Sequence, residues 1–199
     1  VAANDEQFAN TVFDRAARGY AGARLDDVAA RAGISKAALY LQFADKAALF
    51  RALIDWLLDS NLPFNMPPAL AEADAATQLR MLVGAGLNRL ASGDLSFVPR
   101  LIIGESGNFP DIARAWHDRA VTRALGITEA IIARGVARGE FRAVDPALVA
   151  RSVAGALVFA ALWRTTFEPV GAEPIDVDAL AASHVDVLLG GLVQTEARS

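Results

Sequence analysis

The chain has 199 residues, 54% of them hydrophobic and 21% charged, which is a globular composition of a length that fits one domain or a small domain fused to a larger one. The absence of cysteine excludes disulfides, zinc–thiolate sites and cysteine nucleophiles, and fits a reducing cytoplasm. Net charge is −4, which argues against broad electrostatic attachment to nucleic acid, but residues 1–55 carry seven basic and seven acidic side chains, so the whole acidic surplus lies beyond them.

Apolar residues recur at helical spacing almost throughout, and alternating β-branched runs are scarce, so the pattern predicts an all-α chain. The first helix is expected from about Asp5 to Arg18, with Phe8, Val12, Phe13, Ala16 and Ala17 as its buried stripe and Gly19 as its stop. A second runs from about Asp26 to Ala32, its two leading acids favoured by the helix dipole, and Gly33 ends it. Ser35 is a good N-cap for a short third helix reaching about Gln42, and Asp45 caps a fourth, "KAALFRALIDWLLDS". The three prolines of "NLPFNMPPAL" (Asn61 to Leu70) mark a loop and the best break in the chain. Beyond it, helices are expected at about Ala71–Ala91, Ser96–Glu105, Asp111–Arg138, Pro146–Phe167 and Asp176–Val193, separated by "ASGD", "SGNFP", "RGEFRAVDP" and "EPVGAEP". No repeat or low-complexity tract interrupts this pattern, and no signal peptide is read at the N-terminus. No apolar run reaches membrane-spanning length. The longest, "SVAGALVFAALW" (Ser152 to Trp163), is closed by Arg151 and Arg164 and reads as a buried helix, so no membrane partner is expected.

The second and third helices, joined by a tight glycine-containing turn, have the outline of a helix-turn-helix. Val28, Ile34, Leu39 and Phe43 can fill a small core, with Ala29 allowing close approach and Gly33 supplying backbone freedom past the second helix. Ser35 starts the third helix, whose first amides can meet a phosphate, and Lys36 adds a charge beside them. Tyr40 can offer its hydroxyl to the sugar-phosphate backbone while its ring packs inward, and Lys46 is a second phosphate contact.

On these residues the segment "GYAGARLDDVAARAGISKAALYLQFADKAALFRAL" (Gly19 to Leu53) resembles the N-terminal domain of the TetR family of bacterial transcriptional regulators. The matching pieces are the Gly-Tyr after the first helix, "DDVAARAGISK", "LYLQF" and "DKAALF". The chain departs from the family where a serine or threonine usually opens the second helix. Ala23, Arg24 and Leu25 stand there, with Arg24 supplying the phosphate contact by charge and Asp26 taking over as cap. The third helix then leaves Ala37, Ala38, Leu41 and Gln42 to read bases. Alanine and leucine can contact a thymine methyl and glutamine can pair with adenine, which predicts thymine or adenine opposite Ala37 and Gln42.

The resemblance implies an N-terminal three-helix DNA-binding domain in residues 1–50 and a larger helical domain in 51–199 that binds an effector and dimerises. Two such heads would read a pseudo-palindromic operator on double-stranded DNA with half-sites about one helical turn apart or somewhat more. The last two helices suit a homodimeric four-helix bundle, with Gly155, Gly190 and Gly191 permitting close packing. For the effector, apolar surface comes from Trp56, Phe97, Ile102, Phe109, Trp116, Phe159 and Trp163, and Arg100, Glu105 and His117 can orient a ligand. So few polar groups predict a small hydrophobic or amphipathic effector. His117 and His184 are too few and too distant for a metal site, no catalytic triad, phosphate loop or carboxylate pair stands out, and neither cofactor nor enzymatic activity is expected. The function read here is a ligand-responsive repressor, the alternative being a helical ligand-binding protein or enzyme whose helix-turn-helix corner is incidental.

Overall fold

In the computed structural model of the chain, residues 29–30, 35–60, 72–92 and 95–193 are described, and among them all regular structure is helical. Helix α1 spans Lys36–Gln42 and α2 Lys46–Ser60. Then follow α3 (Ala75–Leu87), α4 (Val98–Glu105), α5 (Pro110–Trp116), α6 (Thr122–Ala137), α7 (Pro146–Leu162) and α8 (Val177–Leu192). The first and second predicted helices, Gly33, Ile34 and the proline-rich loop lie outside the described residues, apart from Ala29 and Ala30.

Helices α1, α2, α3, α7 and α8 each start where a side-chain oxygen takes an orphan amide of the first turn. Ser35 Oγ accepts from the Ala38 N–H (3.1 Å), Asp45 Oδ1 from Ala48 (2.7 Å), Asp74 Oδ1 from Thr77 (2.7 Å), Asp145 Oδ1 from Ala147 (2.8 Å) and Asp176 Oδ1 from Ala179 (3.0 Å). The caps expected at Ser35 and Asp45 are therefore in place. Three expected helices differ in a common way. Helices α3, α5 and α7 each run on through a wider, π-type turn, at Asn88–Ser92, His117–Val121 and Trp163–Phe167 respectively. Ser92, expected in a connector, is consequently helical.

By their contacts the residues form two compact units, one holding α1, α2 and Leu101–Ala120, the other the described parts of Phe64–Arg100 and Val121–Ser199. In the second unit α3 packs against α8 and α6, and α6 against α7. Leu79, Val83 and Leu87 of α3, Ile131 and Ile132 of α6, Phe141, Val153 of α7 and Val185 and Leu189 of α8 belong to one core. Burying each such side chain contributes about 1.5–3 kcal/mol. Two glycines allow the closest approaches, since a Cβ at Gly86 would stand 2.5 Å from Leu157 Cδ2 and one at Gly135 would stand 2.3 Å from Phe141 Cδ2. The buried Gln78 amide is satisfied, donating to Ala73 O (3.0 Å) and accepting from Arg134 (2.5 Å).

Helix α7 departs from the expectation of a buried helix. Only Ala150, Val153, Ala160 and Ala161 are buried along it, while Leu148 and Phe159 are 65% and 55% exposed. Its helical run continues to Val170 past both arginines, 25 residues in all, and is long and apolar enough to cross a membrane by length and composition. Arg151 and Arg164 thus do not close the apolar segment. Both are accommodated as exposed side chains on one continuous helix, and Arg151 donates to Ala147 O at 2.8 Å.

Candidate nucleic-acid interface

Helix α1 has seven residues and one buried anchor, Leu39, which is 0% exposed. Ala29, the small residue expected in the same core, is buried too. The Phe43 N–H donates back to Leu39 O (2.9 Å) and closes the helix, so only Phe43, Ala44 and Asp45 separate α1 from α2. With Leu39 inward, Ala37, Ala38, Tyr40, Leu41 and Gln42 all face solvent. Leu41 is 89% exposed. The Tyr40 ring is 45% exposed and so only partly packed inward. Ser35 Oγ accepts from the Ala38 amide, which preorganises the N-terminus of α1 and leaves the hydroxyl proton to donate elsewhere. Lys36 opens α1, whereas Arg24 lies outside the described residues.

Lys46, at the start of α2, is half-buried, and that burial pushes its ammonium below the usual lysine range, opposed by the charge of Glu105. The lysine read from sequence as a phosphate contact thus lies in the field of a carboxylate in its own unit. Glu105 also accepts from Asn108 Nδ2 at 3.0 Å.

The residues assigned to an effector fall into both units. Trp56, Ile102, Glu105, Phe109, Trp116 and His117 belong to the first, and Phe97, Arg100, Phe159 and Trp163 to the second. Phe109 and Ile102 are buried, and Phe109 meets Phe50 edge-on with ring centroids 5.2 Å apart. Trp56 and Trp116 are half-buried, while His117 is exposed and paired with Asp118 (2.7 Å). In the second unit Phe97 is buried, Arg100 half-buried, and Phe159, Trp163 and Phe167 form a ladder with centroids 5.8 and 5.4 Å apart. The Trp163 indole N–H donates to Glu173 O (2.9 Å). Phe167 was not singled out in the sequence, although its spacing of four from Trp163 was the available signal. No group of three or more metal-ligating side chains occurs among the described residues.

Comparison with known proteins bears on both halves of the chain. Residues 15–53 match the family model described as bacterial regulatory proteins, tetR family, and residues 71–182 match the tetracyclin repressor-like C-terminal domain. No curated protein matches the sequence. Among solved structures, a TetR transcription regulator from Haloarcula marismortui is 19% identical, with 98% of this chain and 100% of that one covered at a TM-score of 0.74. AibR in complex with isovaleryl coenzyme A and operator DNA is 20% identical, covering 94% of this chain and 99% of that one at a TM-score of 0.73. The regulator FadR from Bacillus subtilis, in complex with stearoyl-CoA, is 19% identical over 94% of this chain and 98% of that one at a TM-score of 0.69. These three likenesses show the fold. With the C-terminal model matching more than half of its length and the N-terminal model covering the helix-turn-helix, the chain belongs to the TetR family of DNA-binding transcriptional regulators, which are not enzymes.

Proposed function

We propose that the chain is a cytoplasmic homodimeric repressor, released from a pseudo-palindromic operator by a small hydrophobic or amphipathic effector. In this division of labour residues 1–50 read DNA and residues 51–199 dimerise and take the effector. The observation that carries the reading is the outer surface of α1, where Ala37, Ala38, Leu41 and Gln42 stand exposed around a single buried leucine. Lys36, Tyr40, the Ser35 terminus, Arg24 and Lys46 hold the helix on phosphates, and the uncharged residues read methyls and base edges. Selection from random duplex DNA with the full chain tests this. The expected product is a pseudo-palindrome with thymine or adenine opposite Ala37 and Gln42, and recovery of only G·C pairs there would overturn the assignment.

Dimerisation is supported by a stripe on α7 left exposed among the described residues. Leu148, Ser152, Gly155 and Phe159 recur at helical spacing and are all exposed, as are Ser183, Val187, Gly190 and Gly191 on α8. A Cβ added at Gly155, Gly190 or Gly191 would meet nothing within 4 Å, so these glycines leave open surface for a second copy. For the effector, AibR and FadR were each solved with an acyl-coenzyme A. Such a molecule is amphipathic, and the residues assigned here to an effector offer apolar rings with Arg100 as a cation. A thermal-shift panel of short and long acyl-CoA thioesters, with free fatty acids and sterols alongside, identifies the class. The effector must bind the DNA-free state more tightly, because a ligand indifferent to the two states shifts nothing.

A further inference from the structure

We infer that Asp111 and Arg119 are positioning residues for DNA reading, locking α2 in a single register so that α2 fixes the place of α1. The inference rests on the DNA-reading role just proposed. Arg51 Nε lies 2.6 Å from Asp111 Oδ2, and one turn and two turns further along α2, Asp55 (3.2 Å) and Asp59 both bind the Arg119 guanidinium. The pairs run in the same order along both segments, so α2 and the stretch from Asp111 to Arg119 lie in parallel. The sign pattern on α2 is positive, negative, negative, and the pattern facing it is negative, then positive.

That pattern fits in one way only. Sliding α2 by one turn in one direction carries Asp55 onto Asp111. Sliding it the other way carries Arg51 toward Arg119. Both alternatives set like charges together, while the observed register pairs every one of the five groups. These pairs are half-exposed, so their worth lies in choosing the register more than in stability. Adhesion comes from the buried rings of Phe50 and Phe109, which meet edge-on, with the Arg51 guanidinium 5.6 Å above the Phe109 centroid. The Arg51 hydrogen bond also holds the Asp111 carboxyl below its usual range, which keeps that member of the ladder ionised. Register matters to DNA because Phe43, Ala44 and Asp45 alone join α1 to α2, and both ends of this joint are bonded, Phe43 N–H to Leu39 O and Leu49 N–H to Asp45 O. A displaced α2 therefore displaces the reading helix.

The test compares the full-length wild type with Asp111→Arg, the milder Asp111→Asn, and a charge swap that inverts all five groups (Arg51→Asp, Asp55→Arg, Asp59→Arg, Asp111→Arg and Arg119→Asp) and so keeps the pattern that penalises a slide. Hydrogen exchange of the α2 amides reads the lock without DNA, and affinity for the selected operator reads its consequence. Asp111→Arg is expected to speed α2 exchange and to weaken operator binding by about tenfold, with Asp111→Asn smaller in the same direction, and the swap is expected to return both to within about threefold. Rescue by the swap separates register from mere loss of a contact. Unchanged α2 exchange in Asp111→Arg overturns the lock. Faster exchange with unchanged operator affinity overturns the positioning role, as does a swap that rescues neither. If the wild type selects no DNA sequence, the DNA-reading proposal fails and the positioning role with it, while the exchange comparison still decides the lock.

Discussion

Gly135→Ala and Gly126→Ala place the same methyl group at two positions of α6 and should move stability in opposite directions. At Gly135 the new Cβ would stand 2.3 Å from Phe141 Cδ2, 2.6 Å from Cε2 and 2.9 Å from Ala75 Cβ. Ordinary carbon contacts fall at about 3.5–4.0 Å, so the ring would have to retreat by more than an ångström. It has little freedom to do so, because Phe141 is buried and its own N–H is bonded to Gly135 O at 3.1 Å. Overpacking of this kind costs about 1–3 kcal/mol, and the tight geometry argues for the upper end. Alanine recovers about 1 kcal/mol of helix propensity, leaving a net loss of about 2 kcal/mol. For a chain of this size that lowers Tm by about 4–8 °C. At Gly126 nothing lies within 4 Å of the added Cβ, so only the propensity gain remains and Tm should rise by a few degrees. Calorimetry on the two variants side by side checks both signs. A Gly135→Ala protein as stable as wild type would refute the packing argument, and equal losses in both would show that the cost comes from elsewhere.

Three further outcomes can be checked with routine assays. Lys36→Ala combined with Tyr40→Phe should weaken operator binding and reduce the slope of log K against log salt by about one, because one lysine–phosphate contact is removed; fluorescence anisotropy across a salt series measures both. Val187→Glu, on the exposed face of α8, should convert a dimer to monomer in light scattering without loss of helix content, since the side chain is 73% exposed within one chain. The His184 Nε2 is buried without a partner, and burial lowers its pKa from 6.5. The unfolded chain therefore takes up the proton first, so stability is full above pH 6.5 and declines as pH falls from there toward the lowered folded value. In His184→Leu that part of the pH dependence should flatten, and denaturant midpoints at pH 5.5 and 7.5 measure it.

The positions of the helices in the described residues were legible in the sequence because helix starts are local chemistry. Ser35, Asp45 and Asp176 each precede an apolar-periodic run, and the side-chain oxygen of each accepts the amide three residues ahead. The division of α1 into one inward and several outward residues follows from the same periodicity. The sequence pattern carried helix through His117–Val121, Trp163–Phe167 and most of Asn88–Ser92, but it could not show that the helix widens there to a π-type turn, because a wider turn needs neighbouring helices to hold it. The exposure of Phe159 in α7 was equally hidden. An apolar helix looks the same in sequence whether its apolar face is buried by its own chain or left open for another.

The sequence by itself determined an all-helical chain, the caps and the family, since each depends on residues within a few positions of one another. Only the tertiary structure decided that Arg51 answers Asp111 and that Arg119 answers Asp55 and Asp59, pairs separated by about 60 residues. It alone showed that Gly135 is where Phe141 must fit and that Lys46 lies in the field of Glu105. Charges and small residues at such distances along the chain carry no periodic signal. Their meaning is set by which helix faces which, and that is fixed by the summed burial of the whole core.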